Sequence, residues 1–225
     1  MIPLRDVIPS RTTPYVTIVL VVVNVLVFLY QLSLGELVNE LVFDFGLVPA
    51  GFSWANVLTS MFLHGGFLHV AGNMLYLWIF GDNVEDRMGH GRFLAFYLLC
   101  GTAAALAQTM MVPDSPVPMV GASGAIAGVM GAYFVLYPRS RIVTLLPIFI
   151  FWQIIEVPAI LFLGIWFLMQ LLSGVGSIAT ATGGEPAGGV AFWAHVAGFA
   201  AGLLGVFVFQ QRARERVEWW NDVRR

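Results

Sequence analysis

Residues 121–137 have the sequence GASGAIAGVMGAYFVLY, an apolar stretch in which small residues recur along one helical face. Gly124 and Gly128 lie four residues apart, and Gly131 continues the same surface. Small residues at this spacing allow membrane helices to pack backbone to backbone. The stretch also carries a polar residue, Ser123, close to its start, although its composition is otherwise suited to lipid.

This stretch belongs to a chain whose composition is that of a membrane protein. Hydrophobic residues make up 59% of it and charged residues only 11%, whereas charged residues are about a quarter of a soluble protein. A bilayer core needs about 20 helical residues to cross. We therefore predict an all-α, polytopic membrane protein in which residues 1–225 form a single membrane domain. Its six spans are expected at about 15–34, 66–84, 93–112, 121–137, 148–172 and 191–210.

The basic residues predict how the chain is oriented. All 11 are arginine, and none lies in segments 35–65, 113–120 or 173–190. They fall before the first span, between spans two and three, between spans four and five, and after span six: Arg5, Arg11, Arg87, Arg92, Arg139, Arg141, Arg212, Arg214, Arg216, Arg224 and Arg225. Arginine-rich loops stay in the cytoplasm. Both termini are therefore expected to be cytoplasmic.

This orientation predicts the depth of the polar residues. The second, fourth and sixth spans run inward, so Ser123 and His195 lie at the outer ends of their spans, and His64 lies at the mouth of the second. His69 and Asn73 sit one and two turns into that second span and share a helix face at spacing i, i+4. An intramembrane histidine is costly unless it is paired, so it suggests a functional site.

The small residues predict which of these spans touch. Ala194, Gly198 and Gly202 recur every four residues on the sixth span, facing the glycines of the fourth. Ser123 and His195 lie at corresponding ends of the two faces. A hydroxyl–imidazole hydrogen bond of roughly 2.6 to 3.2 Å is then expected, which is the geometry of a histidine base that activates a serine nucleophile.

The remaining polar groups favour a dyad. The Ser123 amide begins a helix, where free N–H groups stabilise developing negative charge, and His69 and Asn73 could add side-chain donors. No carboxylate lies at this depth in the three spans, and nothing places Asp114 of the outer loop beside His195. The sequence has no His-Glu-x-x-His zinc motif, so we expect neither a metal nor a cofactor.

These residues also have non-catalytic interpretations. Ser123 alone is more often a small packing residue than a nucleophile, and His195 alone could bond a carbonyl. A transporter is a further alternative, although broken helices with several ion-binding groups near the midplane would then be expected. Glu156, in the fifth predicted span, is expected to snorkel or to form an ion pair.

At these motifs the chain resembles the rhomboid family of intramembrane serine proteases. The resemblance spans essentially the whole chain and rests on three motifs: His64-x4-His69-x3-Asn73, Gly121-Ala122-Ser123-Gly124 and Ala194-His195-x2-Gly198. It implies a six-helix rhomboid-like bundle. Glu85, in Val84-Glu85-Asp86-Arg87, resembles the family's stabilising acidic residue at the inner end of the second span.

The resemblance also implies roles for the residues of these motifs. Ser123 would be the nucleophile and His195 the general base and acid, while His69, Asn73 and the Ser123 amide would be oxyanion donors. His64, Gly121, Gly124 and Gly198 would be structural residues near the site.

Partners and location follow from the same resemblance. Transmembrane protein substrates would be cleaved near the outer face of a plasma membrane, with the lipid bilayer as the surroundings and no nucleic acid partner. The oligomeric state is left open. A catalytically silent relative that binds membrane proteins is the alternative.

Two further points stay open in the sequence. Phe162, Trp166 and Phe167 of the fifth span could form a substrate gate or face lipid. Ala127 occupies the position at which many family members carry a tyrosine stacked on the histidine. Whether another aromatic residue replaces that tyrosine is not decided by the sequence.

Overall fold

The computed structural model describes residues 1–148, 151–180 and 191–211. Helices dominate these residues, and the helical fold class is confirmed. In chain order they are α1 (Tyr15–Ser33), α2 (Val38–Phe45), α3 (Trp54–Thr59), α4 (Phe67–Met88), α5 (His90–Met111), α6 (Ser123–Leu136), α7 (Ala159–Thr180) and α8 (Phe192–Phe209). The five arginines beyond residue 211 lie outside the described residues.

The helices of the described residues differ in how well they suit a bilayer. Four of them, α1, α5, α7 and α8, are long and apolar enough to cross it, and α6 is a shorter apolar helix. Helix α4 has 22 residues but carries polar side chains, among them His69, Asn73 and Asp82. The chain is therefore a multi-pass membrane protein, while the count of six spans stays a prediction.

A three-stranded antiparallel sheet, which was not predicted, lies beside the helices. Its strands are β1 (Ile2–Asp6), β2 (Arg141–Ile148) and β3 (Phe151–Pro158), in the order β1-β2-β3. The predicted span 148–172 is wrong at both ends, because β3 occupies its first part and α7 runs from Ala159 to Thr180. A short apolar run such as that of β3 suits a buried strand or a helix equally well, so its periodicity could not separate the two.

This correction changes the place of Glu156. It lies in β3 rather than in a membrane helix, and its carboxylate contacts the Arg141 guanidinium at 3.2 Å. Both side chains are at least half exposed. The expected ion pair is therefore present, and its exposure limits its contribution to stability to about 1 kcal/mol or less.

The α6–α8 contact has the closest packing described in the bundle. A Cβ atom at Gly198 would lie 2.1 Å from the Gly124 carbonyl oxygen, and one at Gly202 would lie 1.9 Å from that of Gly128. On its other side α6 meets α5, where a Cβ at Gly124 would lie 2.5 Å from the Ala104 methyl group. The predicted contact between small-residue faces is confirmed, and it brings the first turns of α6 and α8 together.

The opposite end of the bundle is tied together by Glu85 of α4. This side chain is 1% exposed. Its carboxylate accepts hydrogen bonds from the backbone N–H groups of Val16 and Thr17 and from the Thr17 hydroxyl, and it contacts the His90 ring. Because the first N–H groups of a helix have no intrahelical partner, Glu85 caps α1 from another helix.

Replacing Glu85 with alanine is expected to lower the free energy of unfolding by about 2 kcal/mol, because the N–H groups of half-buried Val16 and buried Thr17 would lose a carboxylate acceptor. Thermal unfolding in detergent micelles measures the change. Glu36→Ala is the matched control, since Glu36 is exposed. An equal melting temperature for Glu85→Ala and Glu36→Ala would contradict the capping role.

Candidate active site

Ser123 and His195 meet at the end of the bundle where α6 and α8 begin. Ser123 is the first residue of α6, and His195 lies in the first turn of α8. The Ser123 Oγ lies 2.8 Å from the His195 Nε2, a normal hydrogen-bond distance. The contact follows directly from the glycine faces, because Gly198 and Gly124 bring the two helices close enough for short side chains to reach each other.

The other ring nitrogen of His195 contacts helix α7. Its Nδ1 lies 2.9 Å from the Gln170 Oε1. Trp166, one turn earlier on α7, places its ring centroid 5.8 Å from the imidazole at an interplanar angle of 40°. Among the described residues no carboxylate is hydrogen-bonded to His195. One helix thus supplies both the polar and the aromatic support of this ring.

Trp166 also provides an aromatic neighbour for His195 that α6 lacks at Ala127. Ala127 is fully buried, and a Cβ atom at Gly198 would lie 3.4 Å from its methyl group. Helix α8 therefore occupies the space beside Ala127, and the ring next to His195 comes from α7. Of the two other bulky α7 residues, Phe162 is 2% exposed and Phe167 stacks on Phe199 at 4.8 Å.

His69 and Asn73 of α4 lie against the loop before Ser123. A Cβ atom at Gly121 would lie 2.7 Å from the His69 Nε2 and 3.6 Å from the Asn73 Nδ2. Gly121 has φ +129°, a conformation that favours glycine, and its N–H donates to the Ser60 carbonyl at 2.8 Å. Only glycine fits this turn, because a side chain would strain the backbone and strike His69.

Both α4 side chains have a donor that can serve a ligand. The Gly65 N–H donates to the His69 Nδ1 at 3.3 Å, which favours the tautomer that carries its proton on Nε2, the atom beside Gly121. The Asn73 Nδ2 is buried and has no hydrogen-bond partner among the described residues. A buried unsatisfied N–H₂ group is costly. The Asn73 Nδ2 is therefore available, among the described residues, to donate to a bound ligand.

His64 lies behind these donors. It is 2% exposed, and its ring contacts the His69 ring edge to face at a centroid distance of 5.2 Å. The Gln31 side chain of α1 holds its backbone, accepting from the His64 N–H at 2.9 Å and donating to its carbonyl at 3.1 Å. Burial and the neighbouring His69 lower the pKa of His64 to about 4. His64 is therefore neutral at pH 7.

Sequence reasoning assigned no role to Gln170 or Gln108, and it considered Trp166 only as a residue that could form a substrate gate or face lipid. Gln170 and Trp166 are described above, and the Gln108 Oε1 of α5 accepts a hydrogen bond from the Ala194 N–H at 3.2 Å. Each glutamine is a polar residue in an apolar helix, which was a usable signal. The i, i+4 spacing of Trp166 and Gln170 also places them on one face of α7.

Together these groups have the geometry of a serine hydrolase site in a helical membrane bundle. A hydroxyl contacts an imidazole nitrogen, and N–H donors lie around the first turn of the helix that carries the hydroxyl. Residues 51–212 match the family model of the Rhomboid domain. The chain belongs to the rhomboid family.

Several relatives are similar to this chain over part of its length. The chain is 36% identical over 134 residues to Rhomboid protease GluP of Bacillus subtilis, covering 57% of this chain and 26% of that protein. It is 31% identical over 136 residues to the Putative rhomboid protease YdcA of the same organism, covering 59% and 68% respectively. It is 33% identical over 91 residues to the mitochondrial Rhomboid protein 1 of Saccharomyces cerevisiae, covering 39% and 26%.

Proposed function

We propose that this protein is an intramembrane serine endopeptidase that cleaves transmembrane substrates with Ser123 and His195. The observation that carries the proposal is the 2.8 Å contact between the Ser123 Oγ and the His195 Nε2. The names of relatives such as Rhomboid protease GluP support the same function. A silent binder needs neither an aligned base nor an unpartnered donor such as the Asn73 Nδ2.

The proposed reaction follows from these contacts. The Ser123 Oγ attacks the scissile carbonyl carbon while its proton passes to the His195 Nε2, which gives a tetrahedral intermediate. His195 then protonates the leaving amine as the C–N bond breaks, which leaves an acyl group on Ser123. Water gives a proton to the same nitrogen and attacks the ester carbonyl carbon. The C–Oγ bond then breaks, the Ser123 Oγ takes the proton back from His195, and the second product leaves as a carboxylic acid.

The oxyanion of the intermediate needs donors on its own side of the site. The first turn of α6 supplies the Ser123 N–H, which has no intrahelical partner, and the positive end of the helix dipole. The His69 Nε2 and the Asn73 Nδ2 lie across Gly121 from this turn. We propose that these three donors stabilise the oxyanion.

Replacing Asn73 with alanine is expected to lower kcat by about 100-fold to 1000-fold, the usual cost of one lost oxyanion donor, and to change KM little. Steady-state cleavage in detergent measures both constants. Gly72→Ala is the control on the same helix, because nothing lies within 4 Å of a Cβ at Gly72. A kcat for Asn73→Ala within threefold of the Gly72→Ala value would exclude Asn73 as an oxyanion donor.

The membrane orientation of the site is part of the proposal. We propose a plasma membrane as the location, and the arginine distribution supports cytoplasmic termini, with Ser123 and His195 toward the outer face. A substrate helix opened in the lipid core would leave its carbonyls unsatisfied. Substrates are therefore transmembrane proteins that are cut near the outer surface, where water is available for hydrolysis.

The direct test uses the purified protein in lipid vesicles with a panel of single-span substrates. The proposal predicts two products, whose masses place the cut in the outer third of the substrate span. Substrate binding without cleavage of any panel member would favour the catalytically silent alternative.

A further inference from the structure

We propose that Gln170 is a positioning residue of the dyad and sets the tautomer of His195. This inference rests on the proposed function and adds an uncharged residue, Gln170, to the Ser123–His195 dyad. It starts from the 2.9 Å contact between the Gln170 Oε1 and the His195 Nδ1. Neither spacing nor motif assigned a role to this glutamine.

The proton on His195 can be located from its two contacts. Neutral imidazole has one N–H donor and one bare acceptor nitrogen. To take the hydroxyl proton of Ser123, Nε2 must be the bare nitrogen, so Nδ1 carries the proton. The Gln170 side-chain carbonyl then accepts this proton, and its hydrogen bond stabilises the tautomer that can act as a base. With the other tautomer, Nε2–H would face the Ser123 oxygen and could not accept a proton.

The position of Gln170 makes this role depend on helix α7. Trp166, one turn away, packs beside the imidazole, and Phe167 stacks on Phe199 of α8. Farther along, a Cβ atom at Gly174 would lie 3.2 Å from the Trp193 ring of α8. The outer half of α7 therefore packs on α8 through aromatic contacts. These contacts hold the Gln170 side-chain amide within hydrogen-bond distance of the His195 Nδ1.

An uncharged acceptor differs chemically from the aspartate of a serine protease triad. A carboxylate orients the imidazole and also stabilises the imidazolium that forms during attack. An amide carbonyl fixes the tautomer with a weaker effect on the charged form. The dyad therefore has an orienting partner without placing a charge in the bilayer, which would be costly.

Two substitutions separate orientation from charge. Gln170→Leu removes the acceptor while it fills similar space, and we expect kcat/KM to fall by about 10-fold to 100-fold, the scale expected for one lost buried hydrogen-bond partner. Gln170→Glu keeps an acceptor, so activity at high pH is retained. The acid limb of its pH–rate profile moves upward by about one unit, because a carboxylate stabilises the protonated ring. Met169→Leu, at an exposed neighbouring position, is the matched control.

An NMR experiment identifies the tautomer of His195 without relying on turnover. Ring ¹⁵N NMR of histidine-labelled protein in micelles, with the His195 signals assigned by their loss in His195→Ala, distinguishes Nδ1–H from Nε2–H. We expect Nδ1–H in the wild type and in Met169→Leu, and loss of this preference in Gln170→Leu together with the fall in cleavage.

Each remaining outcome is decisive. An Nε2–H ring in the wild type would overturn the inference. Unchanged cleavage by folded Gln170→Leu would also overturn it, whether or not the tautomer changes. If the wild type shows Nδ1–H, Gln170→Leu loses it and neither protein cleaves, the tautomer assignment stands and the proposed protease function fails.

Discussion

Ser123→Ala is expected to reduce substrate cleavage by roughly 10⁶-fold, which brings it below detection. Without the hydroxyl there is no nucleophile to form the acyl intermediate, and the residual rate comes only from binding and oxyanion donors. The substitution should leave the fold intact, because the N-cap residue of α6 is Ala122 and the Ser123 hydroxyl is hydrogen-bonded to His195 rather than to the backbone of the helix. Cleavage in vesicles, followed by gel and mass spectrometry, measures the loss.

Ser33→Ala provides the control for this prediction. Ser33 ends α1, is exposed, and its hydroxyl donates to the nearby Tyr30 carbonyl. We expect wild-type cleavage from this variant. Ser123-independent cleavage, seen as equal rates for Ser123→Ala and Ser33→Ala, would remove the basis of the mechanism.

Gly202→Val is expected to have the largest effect on stability. A Cβ atom at this position would lie 1.9 Å from the Gly128 carbonyl oxygen and 2.6 Å from its Cα. Because these are backbone atoms, no side-chain rotation relieves the clash, and α6 must separate from α8. We expect the free energy of unfolding in micelles to fall by about 3 kcal/mol, with loss of cleavage because Ser123 and His195 lie on these two helices.

Ala200→Val is the matched control on the same helix. Ala200 is exposed, so two added methyl groups enter lipid or detergent rather than the α6–α8 contact. Its melting temperature should stay close to that of the wild type. If Gly202→Val and Ala200→Val have the same melting temperature, the backbone contact between α6 and α8 does not stabilise this bundle.

Much of the helical bundle could be predicted from the sequence, because its signals are local. Hydropathy indicated helices close to α1, α4, α5, α6 and α8, and glycine spacing predicted the α6–α8 contact. The sheet could not be predicted in the same way. Residues 148–158 form one apolar run with the start of α7, and the pairing of β2 with β3 and β1 that distinguishes strand from helix is a long-range interaction.

The candidate site, like the fold, could be predicted only in part. Ser123, His195, His69 and Asn73 could be placed together from span direction and helix faces. The residues that support the His195 ring could not be predicted. Ala127 has no aromatic ring to offer, and the sequence does not determine the rotation of α7 about its axis. Packing of Phe162 against Phe80 and of Phe167 against Phe199 fixes that rotation and turns Trp166 and Gln170 toward His195.

Labelling of the purified protein with a fluorophosphonate, followed by peptide mass spectrometry, tests directly whether Ser123 is a nucleophile activated by His195. The aligned dyad predicts a single adduct on the Ser123 Oγ, and a labelling rate at least about 100-fold lower in His195→Ala, since the base is worth that much to a nucleophile. An adduct on another residue, or equal labelling of wild type and His195→Ala, would contradict the account.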